Sequence, residues 1–184
     1  MKRTGNLINR IAEFDNLCFA FYKARKGKES KKEVLAYGKY LNSNLIALQK
    51  QIISGEVEVG NYHFFPIYDP KERQICAASF SERVLHHSIM NFCHPVFEKQ
   101  QIFDSYATRL NKGTYSALDR ASYFQRKYKW YLKLDIRKYF DSIDHTILLI
   151  YCNANLKIKC FCKFSDKLLE VTKLQVTKDY QLAI

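Results

Sequence analysis

The spacing of apolar positions predicts helices over the first third of the chain. Residues 6–26 read as a helix, with Asp15 or Asn16 as the candidate interruption. Ser30 is placed to cap a second, long helix that ends near Gly55. The apolar side chains of that helix step by three and four and predict one buried stripe: Val34, Leu41, Leu45, Leu48 and Ile52.

Between residues 57 and 68 the spacing of alternating side chains changes to every second residue, which predicts a strand. Asp69-Pro70-Lys71-Glu72 then reads as a turn, because Pro70 presets the backbone angle that a turn requires. Residues 73–78 return as a second strand. The two strands therefore predict a hairpin with Lys71 and Arg73 near its tip.

Local capping signals predict the start of three further helices. Ser79 and Glu82 have the spacing of a capping box, and the helix they open should end near His94, because Pro95 discourages continuation. Gly113-Thr114 opens another helix. Asp144 can cap a third helix that starts near His145.

The stretch Trp130–Ile136 is rich in β-forming residues and predicts a buried central strand. Helices, a hairpin and this strand together indicate an α+β fold. After residue 150 the periodicity weakens, and residues 114–184 contain neither Gly nor Pro to mark turns.

The composition of the chain indicates that it binds an anionic partner. The chain of 184 residues carries a net charge of +12 with a pI of about 9.4, and Tyr and Phe occur 13 times each. Nucleic acid is the first candidate for such a partner, whereas a surface simply solvated by Lys is the alternative. The excess positive charge is spread along the chain, which favours a channel built from several segments.

Several site classes are not supported by any motif. The six cysteines include no Cys-x-x-Cys pair, and the five histidines form no convincing metal set. The polar start of the chain does not resemble a signal peptide, and no apolar run is long enough to span a bilayer. We therefore expect a cytoplasmic protein with reduced thiols and no membrane partner.

The segment Tyr131–His145, YLKLDIRKYFDSIDH, carries the strongest candidate chemistry. Asp135 follows an apolar run and lies among basic side chains in the sequence. Its carboxylate is a candidate Mg²⁺ ligand, because Mg²⁺ is usually bound by carboxylate oxygens together with substrate phosphates. The backbone of Ile136 could add a carbonyl ligand, and the ring of Phe140 could lie beneath a nucleotide sugar and exclude a 2′-hydroxyl. The alternatives are an Asp that only ends a strand and a Phe that belongs to the core.

This segment resembles motif A of reverse transcriptases, in which an Asp is followed five residues later by an aromatic steric gate. Its continuation FDSIDH resembles the bacterial retroelement branch, of the group II intron-like and diversity-generating types. The resemblance implies that Asp135 is a catalytic metal ligand, that Ile136 contributes to the metal site, and that Phe140 contacts the nucleotide.

Two upstream segments extend the resemblance, so that it covers roughly Tyr62 to Ile147. YDPKERQICAASFSERVLHHSI resembles the finger motif, which implies that Lys71 and Arg73 contact the triphosphate or template and that Arg83 supports the site. FDSYATRLNKGTYSALDRA resembles the next motif and implies nucleic-acid contacts by Arg109 and Lys112. The alternatives are an exposed basic turn and a surface ion pair.

The resemblance implies an RNA-directed DNA polymerase that uses two Mg²⁺ ions, an RNA template, a DNA primer and deoxynucleotide triphosphates. It implies helix-rich fingers with a hairpin and the start of a polymerase palm. The corresponding division is an N-terminal helical region over 1–60, fingers and the first palm strand over 61–150, and an aberrant or partly ordered tail over 151–184.

The chain departs from this family in one decisive respect. It contains no Asp-Asp pair, whereas the family requires a Tyr-x-Asp-Asp motif for the remaining metal ligands. We therefore expect an inactive, truncated or frameshifted product that binds Mg²⁺ weakly at most. We also expect exposed apolar palm surface and the need for an accessory protein or a missing palm chain. A non-catalytic RNA- or DNA-binding module is the main alternative, and an interaction protein with a helical N-terminus is a third.

Overall fold

A computed structural model describes residues 6–136, 139 and 142–156 of the chain. The fold is α+β, as predicted, with helices and one antiparallel hairpin. The helices in these residues are α1 Leu7–Ile11, α2 Phe14–Arg25, α3 Lys32–Lys39, α4 Leu41–Ser54, α5 Phe80–Glu98, α6 Thr114–Lys127 and α7 His145–Asn155; the strands are β1 Tyr62–Tyr68 and β2 Glu72–Ala78. None of the helices in this part of the chain is long and apolar enough to cross a bilayer.

The chain forms two compact units, which are described separately. Among the described residues, the first comprises 6–93 together with 144–156, and the second comprises those that lie between His94 and Ile143. The three-part division made from the sequence remains a prediction.

The first helical segment is interrupted earlier than the sequence indicated. The break lies at Ala12 and Glu13, between α1 and α2, and not at Asp15 or Asn16. Asn16 is buried inside α2, because its polar side chain finds partners in other segments. A buried amide with partners is compatible with a helix interior, so it does not end the helix.

The prediction of one long helix capped by Ser30 is wrong. α3 begins after Lys31, whose side chain makes no capping hydrogen bond, and Tyr40 separates α3 from α4. Tyr40 leaves the helical region with φ −120° and ψ 38°, so the chain changes direction there. The predicted end is confirmed: Gly55 has φ 75°, a left-handed conformation that Gly adopts without steric cost.

The predicted apolar stripe is largely confirmed. Val34, Leu45, Leu48 and Ile52 are all buried, and Leu41 is half-buried. The buried core of the first unit also includes apolar residues of α2 and α5: Leu17, Phe21, Phe80, Val84 and Leu85. The ring of Phe21 meets the rings of Tyr37 and Phe80 at centroid distances of 6.0 and 5.9 Å. This core fixes the helices that carry the hairpin and the start of α5.

The hairpin and Ser79 as the N-cap of α5 are confirmed, but the reciprocal bond of a capping box is not formed, because the Glu82 carboxylate accepts from the backbone N–H of Gly60 instead. β1 and β2 pair in an antiparallel register that runs from Tyr62 opposite Ala78 to Tyr68 opposite Glu72. The backbone N–H of Glu82 donates to Ser79 Oγ at 3.4 Å, which starts α5. α5 continues through Pro95 to Glu98, so the predicted end near His94 is wrong. Proline there removes one backbone donor close to the helix end, which the last turn tolerates.

The prediction of a buried strand over 130–136 is also wrong. These residues form neither helix nor strand, and their side chains are exposed, with Trp130 at 91% and Tyr131 at 92%. A strand needs a partner strand to satisfy its backbone groups, and the described residues supply only the pairing of β1 with β2. The expectation of exposed apolar surface in this segment is confirmed.

The other two helix starts are as predicted. α6 follows Gly113, which has φ 124°. The side chain of Asp144 accepts hydrogen bonds from the backbone N–H groups of Thr146 at 2.8 Å and Ile147 at 3.1 Å, and so caps α7.

Candidate nucleic-acid and nucleotide site

The hairpin tip presents both predicted cations to solvent. Lys71 lies in the turn and Arg73 near the start of β2, and both side chains are exposed. Asp69 and Glu72 lie beside them, and the hydroxyl of Tyr68 donates to Glu72 Oε1 at 3.3 Å. The tip is therefore close to neutral overall, and any phosphate contact would depend on the individual positions of Lys71 and Arg73.

Arg83 joins two helices of the first unit. Its Nη2 forms a salt bridge with Glu33 of α3, and its guanidinium lies 5.4 Å from the centroid of the Phe80 ring. Its Nε is buried and has no hydrogen-bond partner among the described residues. Arg83 is thus held in place by packing and by Glu33, an arrangement suited to supporting the start of α5.

Arg109 is committed to contacts within the second unit. Its Nε donates to Glu98 Oε1 at 2.8 Å, and its Nη1 donates to the backbone carbonyls of Ile102 at 2.6 Å and Ser105 at 3.2 Å. Its side chain is only 10% exposed. These bonds tie the end of α5 to the following loop, and its role in nucleic-acid binding remains a prediction.

Lys112 is held in the same loop. Its Nζ donates to the backbone carbonyl of Phe103 and lies 4.1 Å from the centroid of the Phe103 ring and 4.8 Å from that of Tyr106. A cation over two aromatic faces is stabilised where it stands. The nucleic-acid contact predicted for Lys112 would require it to exchange these partners for phosphate.

The sequence did not indicate a second ion pair that organises this loop. Arg120 of α6 donates to both carboxylate oxygens of Asp104, at 2.8 and 3.3 Å. The hydrogen bond from Arg120 is the main cause that lowers the pKa of Asp104. The partners are 16 residues apart in the chain, so no local spacing signals the pair.

Asp135 and Ile136 lie in the second unit, at the end of the exposed segment that begins at Trp130. The Asp135 side chain is exposed, as is Ile136 at 63%. Phe140 lies outside the described residues. The cations at Lys71, Arg73 and Arg83 lie in the first unit.

The described residues do not by themselves fit a two-metal centre. They contain no group of three or more His, Cys, Asp or Glu side chains that could hold a metal ion. Asp135 supplies one carboxylate in this segment, whereas a pair of Mg²⁺ ions needs several.

A basic surface at the turn from α2 to α3 was missed from the sequence. It is rich in exposed cations and aromatic rings: Phe19, Tyr22, Lys23, Lys26, Lys28, Lys31 and Lys32. Lys23 Nζ lies 4.5 Å from the centroid of the Phe19 ring, and it also donates to Asn91 Oδ1 at 2.7 Å. We call these seven residues the α2–α3 basic surface. The dense run KARKGKESKK was the available signal.

The neighbouring imidazole of His87 is affected by this positive charge. Burial is the main cause that lowers the pKa of His87, and the charge of Lys23 lowers it further, with smaller contributions from His86 and Lys28. A local excess of cations with exposed rings suits a polyanion that carries stackable bases.

Comparison with known proteins gives one distant similarity. The chain is 22% identical over 135 residues to the COX1/OXI3 intron 2 protein of Saccharomyces cerevisiae. The match covers 70% of this chain and 16% of that protein's length. No protein-family profile matches the chain. The comparison supports a relationship to an intron-related protein.

Proposed function

We propose that this chain is part of an RNA-directed DNA polymerase of the retroelement type and binds RNA through its fingers. The observation that carries the proposal is the hairpin, whose exposed tip bears Lys71 and Arg73 and whose second strand leads directly into the capped helix α5. The similarity to the yeast intron 2 protein supports the same interpretation.

In this proposal each predicted residue has one task. Lys71 and Arg73 neutralise phosphates of the triphosphate or template, as cations on an exposed tip can do. Arg83 holds the start of α5 in place through Glu33. Asp135 and the carbonyl of Ile136 contribute to a Mg²⁺ site, and Phe140 discriminates deoxyribose from ribose. Arg109 and Lys112 maintain a loop beside the nucleic acid.

This polypeptide should not synthesise DNA by itself. The 184 residues lack an Asp-Asp pair, and we expect Mg²⁺ to bind weakly at most. Completion of the site would require carboxylates from elsewhere, supplied by an accessory protein or a palm chain.

A non-catalytic RNA-binding module is the second candidate. The α2–α3 basic surface favours it, since exposed cations and rings can hold RNA without any carboxylate chemistry. In that case RNA binding depends on this surface and not on the hairpin tip.

Salt-dependent RNA binding separates the two candidates. Fluorescence anisotropy with a labelled single-stranded RNA, repeated over a range of salt concentrations, gives the affinity and its salt slope. If the tip contacts phosphates, Lys71→Ala with Arg73→Ala should weaken binding and reduce the slope by about 1.4, at about 0.7 per single-strand contact. The matched control is Lys39→Ala with Lys50→Ala, which also removes two exposed cations.

The same RNA-binding measurements can instead favour the second candidate. If Lys26→Ala with Lys28→Ala abolishes binding while the tip variant behaves as the control does, the tip makes no nucleic-acid contact and the second candidate is correct. Primer extension with Mg²⁺ and all four deoxynucleotides completes the test. Extension that Asp135→Ala abolishes would refute the expected inactivity of this polypeptide.

A further inference from the structure

The first unit contains a polar pocket that the proposed polymerase function does not use. Its volume is about 210 Å³, and it lies among α3, α4, the segment before β1 and the first turn of α5. At about 30 Å³ for each molecule of liquid water, this space equals roughly seven waters. The polar residues that line it and carry the argument are Asn44, Gln51, Glu58, Asn61 and Glu82.

Glu82 is the buried charged group of the pocket. Its side chain is 1% exposed, and its two carboxylate oxygens accept from the backbone N–H of Gly60 at 3.4 and 3.3 Å. The Glu82 carboxylate also contributes to the raised pKa of the neighbouring Tyr62 phenol, after burial as the main cause. The bonds from Gly60 fix the carboxylate, so its position does not depend on a ligand.

Glu82 has no full positive counter-charge among the described residues. The nearest basic nitrogen is Nε2 of His86, at 3.8 Å. Burial is the main influence on His86 and lowers its pKa, which disfavours the charged imidazolium. The described lining residues include no Lys or Arg. Because buried charges in proteins are normally paired, a ligand with a positive charge would complete this site.

The rest of the lining offers hydrogen-bond acceptors. The side-chain amides of Gln51 and Asn61 have no hydrogen-bond partner within the described part of the chain, so their oxygens can accept from a ligand. Asn44 uses its Nδ2 to donate to the carbonyl of Tyr37 at 2.9 Å, which leaves its Oδ1 as an acceptor. Glu58 is exposed and adds a second carboxylate to the lining.

We propose that this pocket binds a small organic cation with a guanidinium or primary ammonium head, which Glu82 pairs and the surrounding amide oxygens orient. Such a head has several N–H donors that match these acceptors. A metal ion fits less well, because no group of three or more His, Cys, Asp or Glu in the described residues could hold one. The proposal does not depend on the polymerase proposal.

The test compares a charged probe with an uncharged probe of the same shape. The full chain is titrated with n-butylguanidine and with n-butylurea, and amide chemical shifts of Gly60 and Asn61 are followed by NMR. We expect saturable shifts with butylguanidine, and at least tenfold weaker binding of butylurea. The peptide acetyl-Gly-Arg-Gly-amide, used as a third probe, distinguishes the sources: its binding indicates an arginine side chain of a partner, and its exclusion indicates a free small cation.

Two variants of the pocket and one control make the test specific. Glu82→Gln should weaken butylguanidine binding at least tenfold, and Glu13→Gln, at an exposed site outside the lining, should not change it. Because Glu82→Gln also alters the start of α5, Ala47→Leu provides an independent variant: Ala47 is an exposed lining residue, and a larger side chain there should block entry. Equal binding of butylguanidine and butylurea, no binding by the folded chain, or unchanged affinity in Ala47→Leu would overturn the proposal.

Discussion

The side chain of Asn16 should contribute more to stability than any other exposed or buried amide of α1 and α2. Its Nδ2 donates to the backbone carbonyls of Ile11 at 2.8 Å and Ser88 at 3.1 Å. Its Oδ1 accepts from Nδ2 of Asn91 at 2.8 Å. One buried amide therefore connects the end of α1, the interior of α2 and the middle of α5.

The expected loss of unfolding free energy follows from the polar groups that truncation of Asn16 would leave without a hydrogen-bond partner. Asn16→Ala removes three hydrogen bonds, and two of the groups that lose a partner, the carbonyls of Ile11 and Ser88, belong to buried residues. A buried polar group that loses its partner costs about 1–3 kcal/mol. The carbonyl of Ser88 lies inside α5 and keeps its helical partner, so the total should be about 2–4 kcal/mol. Asn16→Asp should cost at least as much, because it turns an acceptor toward two carbonyl oxygens.

Urea unfolding followed by circular dichroism measures this free energy directly. The slope of the free energy of unfolding with urea should stay constant while the midpoint falls. The matched control is Asn9→Ala, because the side chain of Asn9 makes an exposed hydrogen bond to Asn6 at 2.8 Å and should cost within about 0.5 kcal/mol. If Asn16→Ala proves no more destabilising than Asn9→Ala, the network does not hold α1, α2 and α5 together and the reasoning fails.

Three further predictions concern other parts of the chain. Asp144→Ala should cost about 1 kcal/mol of unfolding free energy, because it removes both capping bonds of α7, and a change no larger than that of an Asp119→Ala control in α6 would contradict this. Burial, the main cause, and the nearby charge of Glu82 raise the pKa of Tyr62 to about 12 from 10.0; the unfolded state therefore loses this proton first, and stability should fall as pH rises from about 10 to about 12. Tyr62→Phe should flatten that decline in thermal midpoints measured against pH, and an identical decline in both proteins would be inconsistent with the assignment. Trp130→Ser with Leu134→Ser should reduce light scattering by concentrated protein, since these side chains are 91% and 79% exposed; unchanged scattering would show that this segment does not drive association.

The features that the sequence predicted well are those encoded within a few residues. The hairpin, the N-cap at Ser79, the cap at Asp144 and the end of α4 at Gly55 each depend on neighbours close in the chain. The exposed position of Lys71 follows from the same local rule, because a tight turn places its central residues in solvent, and Arg73 lies beside that turn in β2.

The strand predicted over residues 130–136 was wrong because strand formation depends on a distant partner. A run of β-forming residues over 130–136 indicates a strand, but a strand exists only where another segment pairs with it, and the described residues provide none for this run. Two further predictions were wrong at single positions, since α5 continues through Pro95 to Glu98 and Tyr40 interrupts a region that the periodicity predicts as one helix.

The candidate site shows the same division. Charge and aromatic content in the sequence indicated an anionic partner, but they could not show that Arg109 and Lys112 are already engaged within their own loop. Nor could they reveal the buried Glu82, whose pocket is built from residues of several segments.

By itself, the sequence determined the α+β class, the hairpin with its two exposed cations, and the caps that start α5 and α7. Only the tertiary structure decided that Asn16 is a buried link to Ser88, 72 residues further along the chain, that Glu82 lines a polar pocket, and that Trp130 remains in solvent. The physical reason is the range of the interactions: caps and turns are satisfied by adjacent backbone groups, whereas burial and strand pairing depend on which distant segments are brought together.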